Sequence, residues 1–313
     1  MDNDSINERK NDDSEIIKAE VVVEMAPESS WDWQEVRPVE TPHRRVLMPV
    51  LLFIATCLST LYVSVGDPLN WQGFMLGLRY AIPVMTILVC HEMGHFIQAW
   101  RYGVYSSLPY FIPMPFSPIG TFGAVISMEP RMGHRKALFD IGISGPLAGL
   151  VPTIIFLVIG LHYSKVGLPS RYGDVYGDPL LFQYLAEWIK GPIPKYKVLY
   201  LDPMAFAGWV GLLITSLNLM PIGQLDGGHI FYALLRKKAN RIASLLLLIA
   251  IGLVAAIPSL RSWFIMLFLL IMMGPSHPPT ANDDEPLGWF RIVLGWLTLA
   301  FIIIGFTPTP ILR

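Results

Sequence analysis

Residues 77 to 100 read GLRYAIPVMTILVCHEMGHFIQAW. The run is long and apolar enough to cross a bilayer as a helix, which takes about 20 predominantly apolar residues. Near one end it carries three ionisable side chains, His91, Glu92 and His95. Two imidazoles and a carboxylate are costly in hydrocarbon, so a cluster of this kind inside a span reads as a functional site. On a helix, positions i and i+4 stand about 40° apart around the axis and about 6 Å apart along it, so both imidazoles reach one metal ion. Glu92 projects to the adjoining face, where its carboxylate is placed to take a proton from an attacking water.

The rest of the chain fits a membrane setting. It has 313 residues, 53% hydrophobic and only 15% charged, with a mean hydropathy of +0.49. Soluble domains carry about 25% charge. A formal charge of −1 excludes a nucleic-acid binder built on a basic face. Cys57 and Cys90 both lie in apolar runs, which excludes a disulfide-stapled scaffold. Residues 1 to 45 differ from everything after them, being polar and acidic without an apolar run, and they predict a disordered cytoplasmic tail. Candidate spans fall near 46 to 65, 77 to 100, 137 to 162, 205 to 235, 243 to 258, 262 to 274 and 289 to 306. The fifth and sixth are short and are separated by Pro258 and Arg261, so the total is six or seven. If the spans alternate, Arg44, Arg45, Arg101, Arg131, Arg135, Lys136, Arg236, Lys237, Lys238 and Arg241 share one side, which the positive-inside rule makes cytoplasmic. The predicted fold is an all-α polytopic membrane protein, with a core over 46 to 235 and further transmembrane helices over 236 to 313.

Residues 106 to 128, SSLPYFIPMPFSPIGTFGAVISM, are as apolar as a span yet cannot be a helix, because Pro109, Pro113, Pro115 and Pro118 remove donors and clash with the preceding turns. Non-helical backbone at membrane depth survives only where protein buries it or a watery cavity solvates it. Thr121, Val125 and Ile126 favour a strand in the second half, so a re-entrant hairpin is expected here.

Two histidines leave a catalytic zinc site short of its third protein ligand. The best source is Asn218-Leu-Met-Pro-Ile-Gly-Gln-Leu-Asp226-Gly-Gly-His229. There Pro221, Gly223, Gly227 and Gly228 are expected to unwind a helix, and Asp226 is an acid at membrane depth that needs a partner.

His91-Glu92-x-x-His95, followed by Asn218-x-x-Pro221 and Leu225-Asp226-Gly227, resembles the site-2 protease family of intramembrane zinc metalloproteases. The resemblance extends to Gly120-Thr121-Phe122-Gly123 and to Gly145-Pro146-Leu147-Ala148-Gly149, and covers roughly residues 75 to 235. It implies one Zn2+ per chain held by His91, His95 and Asp226, with Glu92 as general base. It further implies that Gly120, Thr121, Phe122 and Gly123 meet the substrate, the hairpin offering a strand edge to an unwound segment. Asn218, read from its own chemistry, either donates to the scissile carbonyl or holds the substrate backbone, or makes a hydrogen bond at the helix break. The expected partners are the lipid bilayer and a transmembrane protein substrate, such as a membrane-anchored regulator already cut once by another protease; nucleic acid is not expected. Only a few residues separate the hairpin from the third span, and the loop 163 to 204 is short, so neither place has room for a PDZ domain, as in the compact plastid and cyanobacterial-type branch.

The smaller candidates read more plainly. His229 is expected at a solvated or interfacial position. Asp140 is expected to pair with Lys136, and the row Gly142, Ser144, Gly145, Ala148 and Gly149 to let helices approach closely. Two rival functions use residues on the same page. Gly142-Ile143-Ser144-Gly145 fits the pattern of rhomboid-type serine proteases with His229 as base, and a metal transporter or sensor would use the same ligands to carry or detect a cation.

Overall fold

A computed structural model describes residues 42–64, 70–128, 134–169 and 175–312. The expected tail, up to residue 41, and the basic Arg131 lie outside the described residues. The protein is mostly helical. Its first four elements are α1 (Pro42–Ser64), α2 (Trp71–Arg101) and an antiparallel hairpin of β1 (Tyr110–Met114) and β2 (Gly120–Val125). Helix α3 (Arg135–Tyr163) follows, then a small subdomain with β3 (Lys165–Gly167), β4 (Val175–Tyr176), α4 (Leu180–Lys190) and β5 (Val198–Tyr200). The chain continues through α5 (Pro203–Asn218), α6 (Asp226–Leu235), α7 (Lys237–Ala256), a 3-10 turn (Pro258–Trp263), α8 (Phe264–Met273), α9 (Trp289–Gly305) and β6 (Ile311–Leu312).

Four helices are long and apolar enough to cross a membrane: Val46–Ser64 within α1, then α2, α3 and α7. Three shorter apolar stretches, Pro203–Asn218, Pro258–Met273 and Trp289–Gly305, accompany them. Where α1 carries polar side chains it disposes of them locally. The hydroxyls of Thr56, Thr60 and Ser64 donate to carbonyls one turn back, at Leu52, Thr56 and Thr60. Helix α2 starts earlier than its apolar run because Asn70 caps it, its side chain accepting from the Gln72 amide. The core lies where α2, α3 and α5 pack, with Tyr80, Leu88, Leu157, Leu161, Trp209 and Leu212 fully enclosed.

The expected span 205 to 235 is two helices, not one. Helix α5 ends at Asn218 and α6 begins at Asp226, with Pro221 and Gly223 in the break between them. Gly227 and Gly228 do not unwind anything. They form the first turn of α6 and make room for the break, since a Cβ on Gly227 would lie 1.8 Å from the Leu219 carbonyl oxygen and one on Gly228 2.3 Å from that of Gly223.

The Pro-rich stretch forms a hairpin over a shorter span than its composition marks. Its pairing runs from Tyr110 opposite Val125 to Met114 opposite Gly120, with an irregularity between Phe111 and Pro113. Ile126 lies beyond the strand. The hairpin packs on α1, where Ser59 Oγ donates to the Gly120 carbonyl at 2.6 Å. Gly120 has φ +81, and a Cβ there would meet Thr60 Cα at 2.7 Å, so the position calls for glycine twice over. At the turn, Tyr80 of α2 donates its hydroxyl to the Ile119 carbonyl at 2.8 Å.

Residues 274–288, between α8 and α9, bind the rest of the fold through polar contacts. Glu285 pairs with His134 and Lys136, Asp284 with Arg236, and Tyr232 donates to Asp283. Asp140 therefore does not pair with Lys136 as its spacing suggests. Its carboxylate takes a bidentate contact from Arg291 of α9, both bonds at 2.8 Å, and a hydrogen bond from the Tyr102 hydroxyl. A guanidinium fork matches a carboxylate better than a single ammonium can, and Lys136 is already engaged by Glu285.

Candidate metal centre

His91 and His95 sit on the buried face of α2, 3% and 5% exposed, and Asp226 opens α6 against them. The nearest approaches are 3.0 Å between His91 Nε2 and Asp226 Oδ2, 3.2 Å between His95 Nε2 and Asp226 Oδ1, and 3.3 Å between the two Nε2 atoms. A tetrahedral ion with nitrogen and oxygen ligands at about 2.0–2.1 Å needs its donor atoms roughly 3.3 Å apart. The three side chains are therefore spaced as ligands of one ion. His, Cys, Asp and Glu elsewhere among the described residues form no other group of this kind.

Proton placement agrees. His95 Nδ1 lies 2.8 Å from the Ile141 carbonyl oxygen, which can only accept, so Nδ1 carries the proton and Nε2 presents its lone pair to the centre. With that tautomer, a hydrogen bond from His95 Nε2 to Asp226 would need a fully protonated imidazolium in the protein interior; a cation between them removes the need. The set thus fits a divalent ion such as zinc.

Helix α3 makes the room. A Cβ on Gly145 would fall 2.0 Å from His95 Nε2, and one on Gly149 3.1 Å from His91 Cβ. In the other direction, a Cβ on Gly94 would fall 2.5 Å from the Ser144 carbonyl oxygen. The small-residue row thus does more than let two helices touch: its missing side chains hold the imidazoles.

Glu92 is 4% exposed, within electrostatic range of both imidazoles and Asp226. Its carboxylate makes no hydrogen bond to the described residues, so its lone pairs are available to a water. Asn218, the last residue of α5, brings its amide Nδ2 to 3.2 Å from His91 Nε2, a donor at the edge of the centre. The hairpin residues are on β2, where their hydrogen bonds run to neighbours other than the donors of this cluster. The Gly120 carbonyl is taken by Ser59 and the Thr121 hydroxyl by Ile112 and Gly123, while Phe122 is 48% exposed.

His229 departs from expectation. It is 8% exposed rather than solvated, because α6 turns it inward against Gly142, where a Cβ would meet the His229 Cβ at 2.9 Å. Its Nδ1 meets His277 Nε2 at 2.7 Å. His277 in turn stacks on Tyr232 with ring centroids 4.6 Å apart, and Asn240 bonds both of its backbone groups. His277 and Asn240 have no spacing in the sequence that marks them; an isolated histidine in a Pro-rich loop gives no sign of its partner. Ser144 donates to the Ile141 carbonyl at 2.7 Å, so the serine and histidine of the rhomboid-like alternative are each engaged elsewhere.

A helical fold with apolar spans, and a His-His-carboxylate set joining one of them, α2, to the start of α6, defines a membrane-type metalloprotein. The profile of Peptidase family M50 matches residues 79–257, which includes every residue of the centre, and the chain belongs to that family. It is 31% identical over 240 residues to "Probable zinc metalloprotease EGY1, chloroplastic" of Arabidopsis thaliana, covering 74% of this chain and 43% of that one. It is 30% identical over 245 residues to the EGY2 protein of the same plant, covering 75% and 42%. Against an EGY3 protein of Oryza sativa it is 29% identical over 238 residues, covering 70% and 39%. The chain thus spans roughly two fifths of the length of these curated relatives. No solved structure matches it.

Proposed function

We propose that the chain is an intramembrane zinc metalloprotease that hydrolyses a peptide bond within or beside a transmembrane segment of a membrane-protein substrate. The observation that carries this reading is the donor spacing of His91, His95 and Asp226, with a buried, unbonded Glu92 beside them. The relatives named as zinc metalloproteases support both the metal and the reaction class.

Zinc held by His91, His95 and Asp226 would supply Lewis acidity to the scissile carbonyl and lower the pKa of the water that attacks it. Glu92 takes the proton of that water and delivers it to the leaving amine, which must be protonated to depart. Ile141 keeps His95 in its ligating tautomer through Nδ1. Asn218 offers an N–H to the oxygen on which charge develops. A substrate helix hides its carbonyls in internal hydrogen bonds, so it must unwind first; pairing with the outer edge of β2 near Gly120 to Gly123, beyond the groups that Ser59 and Thr121 already take, would replace the lost bonds.

A membrane with six or seven crossings accommodates the four long helices and the shorter apolar ones. The re-entrant reading of the hairpin draws support from the Tyr80–Ile119 bond, since Tyr80 lies about 30 Å along α2 from Arg101, comparable to a hydrocarbon core. The cytoplasmic placement of the active-site side rests on the basic residues at one set of helix ends. There Arg135 of α3 donates to the Ala233 and Leu234 carbonyls of α6, close in sequence to Arg236, Lys237 and Lys238.

The test is Glu92→Gln. The variant should keep about one zinc per chain, as wild type, and lose cleavage of a single-span test substrate by at least 100-fold. Cleavage at the wild-type rate would remove Glu92 from its role.

A further inference from the structure

A cavity lies toward the N-terminal end of α2, away from the metal centre. Tyr80, one of its lining residues, stands 11 residues before His91, about 16 Å along the helix. The cavity measures about 900 Å³, large enough for a peptide of a few residues. It borders the hairpin turn at Pro118 on one side and the subdomain between α3 and α5 on the other.

One wall is unusual. Five consecutive residues, Lys197 to Leu201, line it, and three of them are strand β5. Side chains of a strand alternate between its two faces, so consecutive residues share a boundary only along the strand's backbone edge. Strand β3 pairs with β5 on one side, and among the described residues no third strand is joined to that two-stranded sheet. Among the described residues the cavity is therefore a groove with an unpaired strand edge as its wall, the arrangement that accepts an added strand. The partly exposed apolar side chains of Val63, Ile193 and Phe206 also line it and offer an apolar surface. The acids Asp178 and Glu187 also line it, and neither carboxylate makes a hydrogen bond or ion pair with the described residues. The Lys197 ammonium lies over the Tyr196 ring at 5.8 Å, a partner of its own.

We propose that this groove binds an extended polypeptide segment bearing basic and apolar side chains: the stretch that flanks a substrate's transmembrane segment on the side away from the metal centre. The backbone of that stretch pairs with β5, its basic side chains face Asp178 and Glu187, and its apolar ones rest on Val63, Ile193 and Phe206. The position of Pro118 joins the groove to the hairpin, so one extended chain can leave the edge of β2 and enter it. The assignment of the occupant as substrate rests on the protease reading; the capacity to bind the peptide does not.

The test uses the full chain in nanodiscs and two labelled peptides, Lys-Val-Leu-Lys-Leu-Val and its counterpart with Glu for each Lys. The Lys peptide should bind and the Glu peptide should not. Asp178→Lys with Glu187→Lys should weaken the Lys peptide by about tenfold or more. N-methylation of alternate amides, which leaves the side chains in place, should abolish binding in one of the two phases, as strand pairing requires. Equal binding of both peptides, indifference to the charge reversal, or indifference to N-methylation in both phases overturns the proposal. Binding should persist in Glu92→Gln. In cleavage assays the charge-reversed variant should raise KM for a substrate with a Lys-rich flank and leave kcat unchanged, and it should leave a substrate without that flank unaffected. Binding that survives while no substrate is cleaved counts against the protease reading alone; normal KM in the charge-reversed variant counts against the groove as a substrate site.

Discussion

Gly145 is bare because His95 occupies the space its side chain would take. Gly145→Ala places a methyl 2.0 Å from His95 Nε2, and the imidazole must swing away from the other two donors. Zinc content should fall well below one per chain in the purified variant while helical circular dichroism is retained. Gly149→Ala, whose Cβ meets His91 at 3.1–3.2 Å, should lose less. At this scale the sequence spoke clearly where chemistry needs a fixed local spacing. The His91–His95 interval is a helical property and could be read without any tertiary knowledge. The burial of His229 could not, because its partner His277 lies 48 residues away across two further helices. Asp140 misled for the same reason: Lys136 stands one turn away, but Arg291, 151 residues on, offers the better geometry.

At the scale of elements, the break between α5 and α6 places the third candidate donor, Asp226. Pro221 and Gly223 ended the helix as their backbone chemistry requires. The expectation for Gly227 and Gly228 failed because glycine has two uses, freedom of backbone and absence of bulk, and composition does not distinguish them. Gly227→Ala should therefore destabilise by packing, on the order of 1–3 kcal/mol, and should lower zinc retention on dilution, since Asp226 rides on the displaced turn. A urea titration followed by tryptophan fluorescence measures the first effect. Residues 274–288 make a second case. Burial would raise the Asp283 carboxyl, but hydrogen bonds from Thr280 and Tyr232 and the nearby Arg236 hold it below the ordinary range. A depressed folded value gives stability that is present above the unfolded value, about 3.9, and is lost as pH falls through the folded one. Amide exchange across 274–288 should accelerate below about pH 4, and Asp283→Asn should show part of that acceleration already at pH 7.

Over the whole molecule, the apolar runs marked helices in their chain order, except that 205 to 235 proved to be two helices and α4, Leu180–Lys190, had no run to mark it. What the sequence withheld was length. Helix α2 has 31 residues and α3 has 29, about 46 and 44 Å, whereas α5 and α9 have 16 and 17, about 24 and 26 Å. A hydrocarbon core is about 30 Å thick. If these helices all sit in one bilayer, the long pair exceeds its hydrocarbon core while α5 and α9 fall short of it. The long pair must tilt, or lipid must thin beside the exposed short helix α9, each at a modest cost per ångström. The depth of the metal centre is then set partly by the acyl chains around it. Cleavage measured in vesicles of a single lipid should be faster with shorter chains than with longer ones, which would let membrane composition alone adjust the rate.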